Sequence, residues 1–232
     1  MEISRRPTLL LAALFAVLAV GCGGGGGSSG GGGGGLPPPQ PAAPIRLSDG
    51  GIVGLDDRFN PVDGDTPSGG HGQVVGGIDC GLHNIRYHIH VHVSLFVNGT
   101  RLAVPDTIGI LNPGPEVNGF TQNGSCFYHL HTHDAQGLVH VEAPAVAQYT
   151  LGQFFDIWGQ PLSNTNVAGN TGSVQVYIAP PGSPTSLSTG PFTPYTGDPR
   201  AIPLQPHEAI VLEVGPTFVT PPGLSQIIFQ YP

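Results

Sequence analysis

The chain has no lysine, one methionine and one tryptophan, and only 9% of its 232 residues are charged. Each scarcity excludes something. Beyond residue 21, five arginines face fourteen acids, a net charge of −9 with neutral histidines. That balance argues against a nucleic-acid partner and against a basic surface for anionic lipid. Met1 is the only methionine, which removes the axial ligand usual in blue-copper sites and the methionine-rich copper carriers. No His-Glu-X-X-His helix of a metalloprotease is present. Ser125 lacks the glycine-flanked elbow of a serine hydrolase, and no phosphate-binding glycine loop follows a strand. The apolar run Leu9–Val20 is too short to favour a spanning helix, which needs roughly 20 residues.

Glycine and proline are abundant instead, with 37 and 25 residues. Residues 1–21 read as an export signal: Arg5 and Arg6 lead, the apolar run follows, and small residues precede Cys22. Gly23–Gly35 holds eleven glycines and two serines, a flexible tether, and Leu36–Pro44 stiffens it. Residues 22–70 are expected to be a disordered Gly/Pro-rich tether and residues 71–232 a histidine-rich β domain, long enough for one core. The segment Leu18-Ala19-Val20-Gly21-Cys22 resembles the lipobox of bacterial lipoproteins. That resemblance implies cleavage before Cys22, a lipid on its sulfur, and attachment to a membrane outside the cytoplasm. Cys80 and Cys126 remain. In an oxidising compartment they are expected to pair; the alternative is Cys126 as a thiolate ligand near His129.

Six of the ten histidines stand in strict alternation, His88-Ile-His90-Val-His92 and His129-Leu-His131-Thr-His133. A strand sends every second residue to the same face. Over residues 85–98 this puts Ile89, Val91, Val93 and Leu95 on one face and His88, His90 and His92 on the other. Asn98-Gly99 signals a hairpin returning through Thr100. Residues 127–133 and 138–142 form a second hairpin around Asp134–Gly137. If His133 faces Leu138, His131 faces His140 and His129 faces Glu142. Thr150 with Gln153 makes a capping box for a short helix ended by Gly159, expected to plug an open end or edge of the β structure. Residues 173–178, 209–214 and 226–229 read as further strands, 114–124 and 180–200 as loops. The fold class is all-β, a small antiparallel barrel or sandwich with one short helix.

Imidazole is the commonest metal ligand. Three alternating histidines span about 13 Å, so a compact site needs both hairpins. The candidate ligands are His88, His90, His92, His129, His131, His133 and His140, with Glu142 an alternative to His140 in completing the set, and Asp134 and Glu142 otherwise fixing tautomers. Copper or zinc suits such a set. His71, His83 and His207 read as surface residues. Three functions stay open: metal binding, a metal-dependent oxidoreductase or hydrolase, and a structural surface domain whose histidines are merely a polar sheet face.

Cys126–Asp134, Gly137–Glu142 and Leu151–Gly159 together resemble a family of uncharacterised exported bacterial proteins, which implies a shared β domain but no activity. Gly81-Leu-His83 followed by His88-Ile-His90 resembles the corresponding segment of copper/zinc superoxide dismutases, with a spacing two residues longer. It implies a dismutase-like activity as one form of the enzyme alternative.

Overall fold

The computed structural model describes residues 69–117, 120–135, 137–179 and 192–219. The signal, the tether with Cys22, and the expected strand at 226–229 lie outside them. In chain order the described strands are β1 (Cys80–Gly81), β2 (Tyr87–Val97), β3 (Thr100–Leu102), β4 (Ile110–Leu111), β5 (Glu116–Val117), β6 (Phe120–Thr121), β7 (Cys126–Tyr128), β8 (Leu130–Thr132) and β9 (Leu138–Ala143). Helix α1 (Leu151–Trp158) follows, then β10 (Leu162–Ser163), β11 (Asn166–Val167), β12 (Asn170–Thr171), β13 (Val174–Ala179), β14 (Thr193–Tyr195) and β15 (Ala209–Val214).

Seven strands make the main sheet, in the order β14-β13-β15-β2-β9-β8, with β3 also paired to β2. The sheet does not close on itself, so the all-β fold is sandwich-like and not a barrel. One pairing departs from an antiparallel arrangement: β15 runs parallel to β2, Ala209 opposite His92 and Val214 opposite Val97. Two backbone bonds seat its entry, from His207 N to His90 O and from His92 N to Glu208 O, each 2.9 Å or shorter.

β2 is long because its alternation never breaks. Ile89, Val91, Val93 and Leu95 are at most 7% exposed and belong to the main core. Asn98 and Gly99 both take positive φ, 51° and 81°, and reverse the chain into β3, as the right-handed twist of the strands requires. At the other turn Gly137 has φ 90°, and a Cβ there would stand 2.1 Å from the Val93 carbonyl oxygen, so no side chain fits.

The helix begins on the expected capping box. The Thr150 hydroxyl accepts from Gln153 N and the Gln153 side chain accepts from Thr150 N. It ends on Gly159 in the left-handed conformation, φ 76°. Leu151, Phe154, Phe155, Ile157 and Trp158 are all at most 1% exposed and share one core with the apolar face of β2, β8 and β9. Burying side chains of this size stabilises the fold by about 1.5–3 kcal/mol each. The helix buries this face in the core and packs beside β8, the edge strand of the main sheet.

A smaller three-stranded sheet, β1-β7-β4, carries the disulfide Cys80–Cys126. Both sulfurs are consumed in it, which removes Cys126 as a thiolate ligand. Residues 114–124, read as loop, contain the hairpin β5–β6. Residues 180–200, also read as loop, contain β14 and a 3₁₀ turn at Pro199–Ala201.

Candidate metal centre

β2, β9 and β8 lie side by side, and their register builds the site. His90 faces His140, and His140 faces His131, so three imidazoles stand in a row across three strands. His88 faces Glu142 one step along. Residues directly opposite share a face, and the apolar alternates Val91, Val139, Val141 and Leu130 fix which face that is. His133 lies just past the end of β8. Its ring stacks on Phe120, centroids 4.6 Å apart.

Apart from His88, this face is largely shielded from water. His90 and His131 are fully buried, and His140 and His133 are 5% and 8% exposed. A polar sheet face facing water does not look like this. Burial also sets the charge state. His131 is pushed down to about 3, first by desolvation and then by neighbouring His133, against the pull of Glu142. His140 is pushed down to about 2 by desolvation and then by His133, His90 and His88. His133 is lowered too, again mainly by burial. The rings are therefore neutral near pH 7 and carry lone pairs.

Where those lone pairs point decides the chemistry. His131 Nδ1 lies 2.8 Å from the Tyr128 carbonyl oxygen, and His133 Nδ1 is bonded to the Thr121 carbonyl oxygen. A carbonyl only accepts, so both rings carry their proton on Nδ1. Both Nε2 atoms then present lone pairs, and they stand 3.1 Å apart. Two neutral acceptors at that distance repel. A cation between them removes the conflict, and burial makes a proton a poor candidate. Two nitrogens bound to one zinc at 2.0–2.1 Å lie about 3.3 Å apart in a tetrahedron. Backbone carbonyls on the remote ring nitrogens are the usual orienting partners of ligating histidines.

His131, His133, His140 and Glu142 offer ligand atoms within 4.8 Å of one another, and so do His88, His90 and His140. In the second trio the facing nitrogens can share protons. His88 Nε2 is 3.0 Å from His90 Nε2, and His90 Nε2 is 3.1 Å from His140 Nδ1. Glu142 Oε1 accepts at 3.2 Å from His88 and lies 3.5 Å from His140. Glu142 thus touches both groups and belongs with the possible ligands, and the charge of Asp134 raises the pKa of His133.

Two expected ligands stand apart. His92 is flanked in register by Leu138 and Ala209, apolar on both sides, and its Nδ1 is 3.3 Å from Ser94 Oγ. His129 leaves the row because it falls between β7, in the small sheet, and β8, in the large one. The alternation breaks there, and its ring meets Tyr149, Asp79 and His83. Two histidines read as surface residues are also displaced from that reading. His207 is 4% exposed, and the His83 side chain is 16% exposed. Asp79 and His83 went unread as site residues, although a Cys80–Cys126 pairing already draws residues 79–83 towards 126–129.

A cavity of about 410 Å³ opens beside the cluster. His131, His133 and Glu142 form one wall, with Phe120, Phe127 and Gln122 among its other lining residues. No protein-family model, curated protein or solved structure matches this chain, so its chemistry rests on its own geometry.

Proposed function

We propose that this chain is an exported transition-metal-binding protein, held to a membrane outside the cytoplasm by lipid on Cys22, that takes copper or zinc at His131, His133 and His140. Glu142 completes the set, and His88 and His90 stand next to it. The observation that carries the reading is the pair of Nε2 lone pairs 3.1 Å apart, both made acceptors by backbone carbonyls on Nδ1. Elemental analysis of the purified protein tests it. The wild-type chain should hold one more equivalent of metal than His131→Gln/His133→Gln. Equal metal content in the two proteins would sink the reading.

The cavity favours a second reading, a metal-dependent enzyme at the same cluster, either an oxidoreductase of the superoxide-dismutase type or a hydrolase. An enzyme needs an open coordination position with a pocket beside it. His131, His133 and Glu142 line such a pocket. Cobalt-substituted protein separates the two readings. A change in its visible spectrum on adding azide indicates an open position; a spectrum indifferent to azide indicates a closed binding site.

A further inference from the structure

His129 was drawn out of the sheet row, and its new surroundings form a site of their own. Its Nε2 and that of His83 are both buried and have no hydrogen-bond partner. Leaving such an atom unpaired costs free energy, and here two occur together. The carboxylate of Asp79 reaches towards both: Oδ1 is 3.8 Å from His129 Nε2, and Oδ2 is 3.9 Å from His83 Nε2. These separations are too long for hydrogen bonds. They fall within the roughly 3–4 Å that separates two ligands of one ion bound at 2.0–2.2 Å. Ligand atoms of the three residues all lie within 4.8 Å of one another.

Three features support the cluster. Tyr149 OH lies 2.8 Å from His129 Nδ1. If His129 ligates through Nε2, its proton sits on Nδ1 and is donated to the Tyr149 oxygen, the outer contact a ligating imidazole normally makes. Gly81 leaves room for the His83 ring, since a Cβ there would stand 2.8 Å from His83 Cε1. The disulfide Cys80–Cys126 and the pairing of Cys80 with Tyr128 join the segment bearing Asp79 and His83 to the one bearing His129.

We propose that Asp79, His83 and His129 form a second divalent transition-metal site, separate from the cluster on β2, β8 and β9 and assembled by the Cys80–Cys126 disulfide. Two imidazoles and a carboxylate suit zinc, cobalt or ferrous iron. Asp79 is 61% exposed in its side chain, so the ion enters from solvent and keeps water on its open side. This site binds more weakly and exchanges faster than the buried cluster.

Zinc binding by the full chain tests it, with equilibrium dialysis and elemental analysis as the readout. In a His131→Gln/His133→Gln background one zinc per chain should remain. Adding Asp79→Asn or His83→Ala should weaken that zinc at least about tenfold. Asp79 is exposed, so Asp79→Asn keeps the fold, which circular dichroism checks. In the wild-type background the same substitutions should remove one equivalent and leave the tighter one in place. The proposal is overturned if no zinc remains in the double-substituted background, or if Asp79→Asn and His83→Ala both leave it unchanged. Failure of the primary cluster reads out differently, as no effect of His131→Gln/His133→Gln on the tighter zinc. Cys80→Ala/Cys126→Ala should weaken the second site about tenfold; unchanged affinity there would remove the disulfide from the proposal.

Discussion

The two histidine runs are nearly identical as sequence and differ as structure. The first, His88–His92, lies on one unbroken strand of eleven residues. His88 Nε2 and His90 Nε2 stand 3.0 Å apart, and protons shared among His88, His90, His140 and Glu142 can meet these contacts. The second, His129–His133, straddles a break between β7 and β8. The break sends His129 to one cluster and His131 to another. It also leaves His131 and His133 with lone pairs that face each other. Both runs bring two ring nitrogens to about 3 Å, and what differs is the partner on each ring's other nitrogen, a backbone carbonyl in the second run. Equal motifs therefore need not mean equal chemistry.

The sharpest way to break this comparison is to substitute histidines of each run in turn. His131→Gln/His133→Gln should weaken zinc at the primary cluster about 10,000-fold, equivalent to about 5.5 kcal/mol. His88→Ala, whose side chain is already 38% exposed, should cost no more than about tenfold. Competition with a chromophoric chelator measures both. Equal losses from the two runs would show that the break in the second has no chemical consequence.

Covalent support is also one-sided. The disulfide holds Cys126, the first residue of the strand that leads into the second run, to Cys80 of β1, 46 residues earlier. Cys80→Ala/Cys126→Ala should lower stability by about 4 kcal/mol in urea, from the loop it opens. The primary zinc affinity should fall far less, because its register is held by β2 and β9.

Acid provides a third contrast. His131 and His140 are neutral when folded and held well below the usual 6.5. A depressed histidine binds its proton more readily in the unfolded chain. Its contribution is thus fully present above about pH 6.5 and is lost as pH falls towards the folded values near 3 and 2. Chelator-treated protein should lose about 3 kcal/mol between pH 7.5 and pH 5, since neighbouring rings do not add fully. His131→Gln should flatten that slope, and His88→Ala should leave it. Urea midpoints at the two pH values decide.

How much of this was legible in the sequence follows from the same physics. Alternation fixed the faces of β2 and β9 and the pairing of His131 with His140, because a one-residue slip would expose Val139 and Val141. The capping box, the Asn98-Gly99 turn and the cysteine pair were equally local signals. The break at His129 was not legible. Nothing in Tyr128-His129-Leu130 marks a change of sheet, which is set by where β1 and β4 dock. The parallel entry of β15 depends on contacts to His90 and His92 more than a hundred residues away. Phe120 and the Thr121 carbonyl, which orient His133, sat in a stretch whose glycines and polar residues read only as loop.

His92 offers the smallest and most selective effect. Its position in the alternation is as good as that of His90, so counting histidines makes it a ligand. Its neighbours in register, Leu138 and Ala209, make it a buried polar residue beside Ser94 instead. His92→Ala should change zinc affinity by less than about twofold, below about 0.4 kcal/mol. His90 stands one row along, opposite His140, and His90→Ala should exceed that effect. If His92→Ala weakened zinc as much as His90→Ala, the ion would have to lie further along β2 than His140 can reach, and the row across β2, β9 and β8 would no longer define the site.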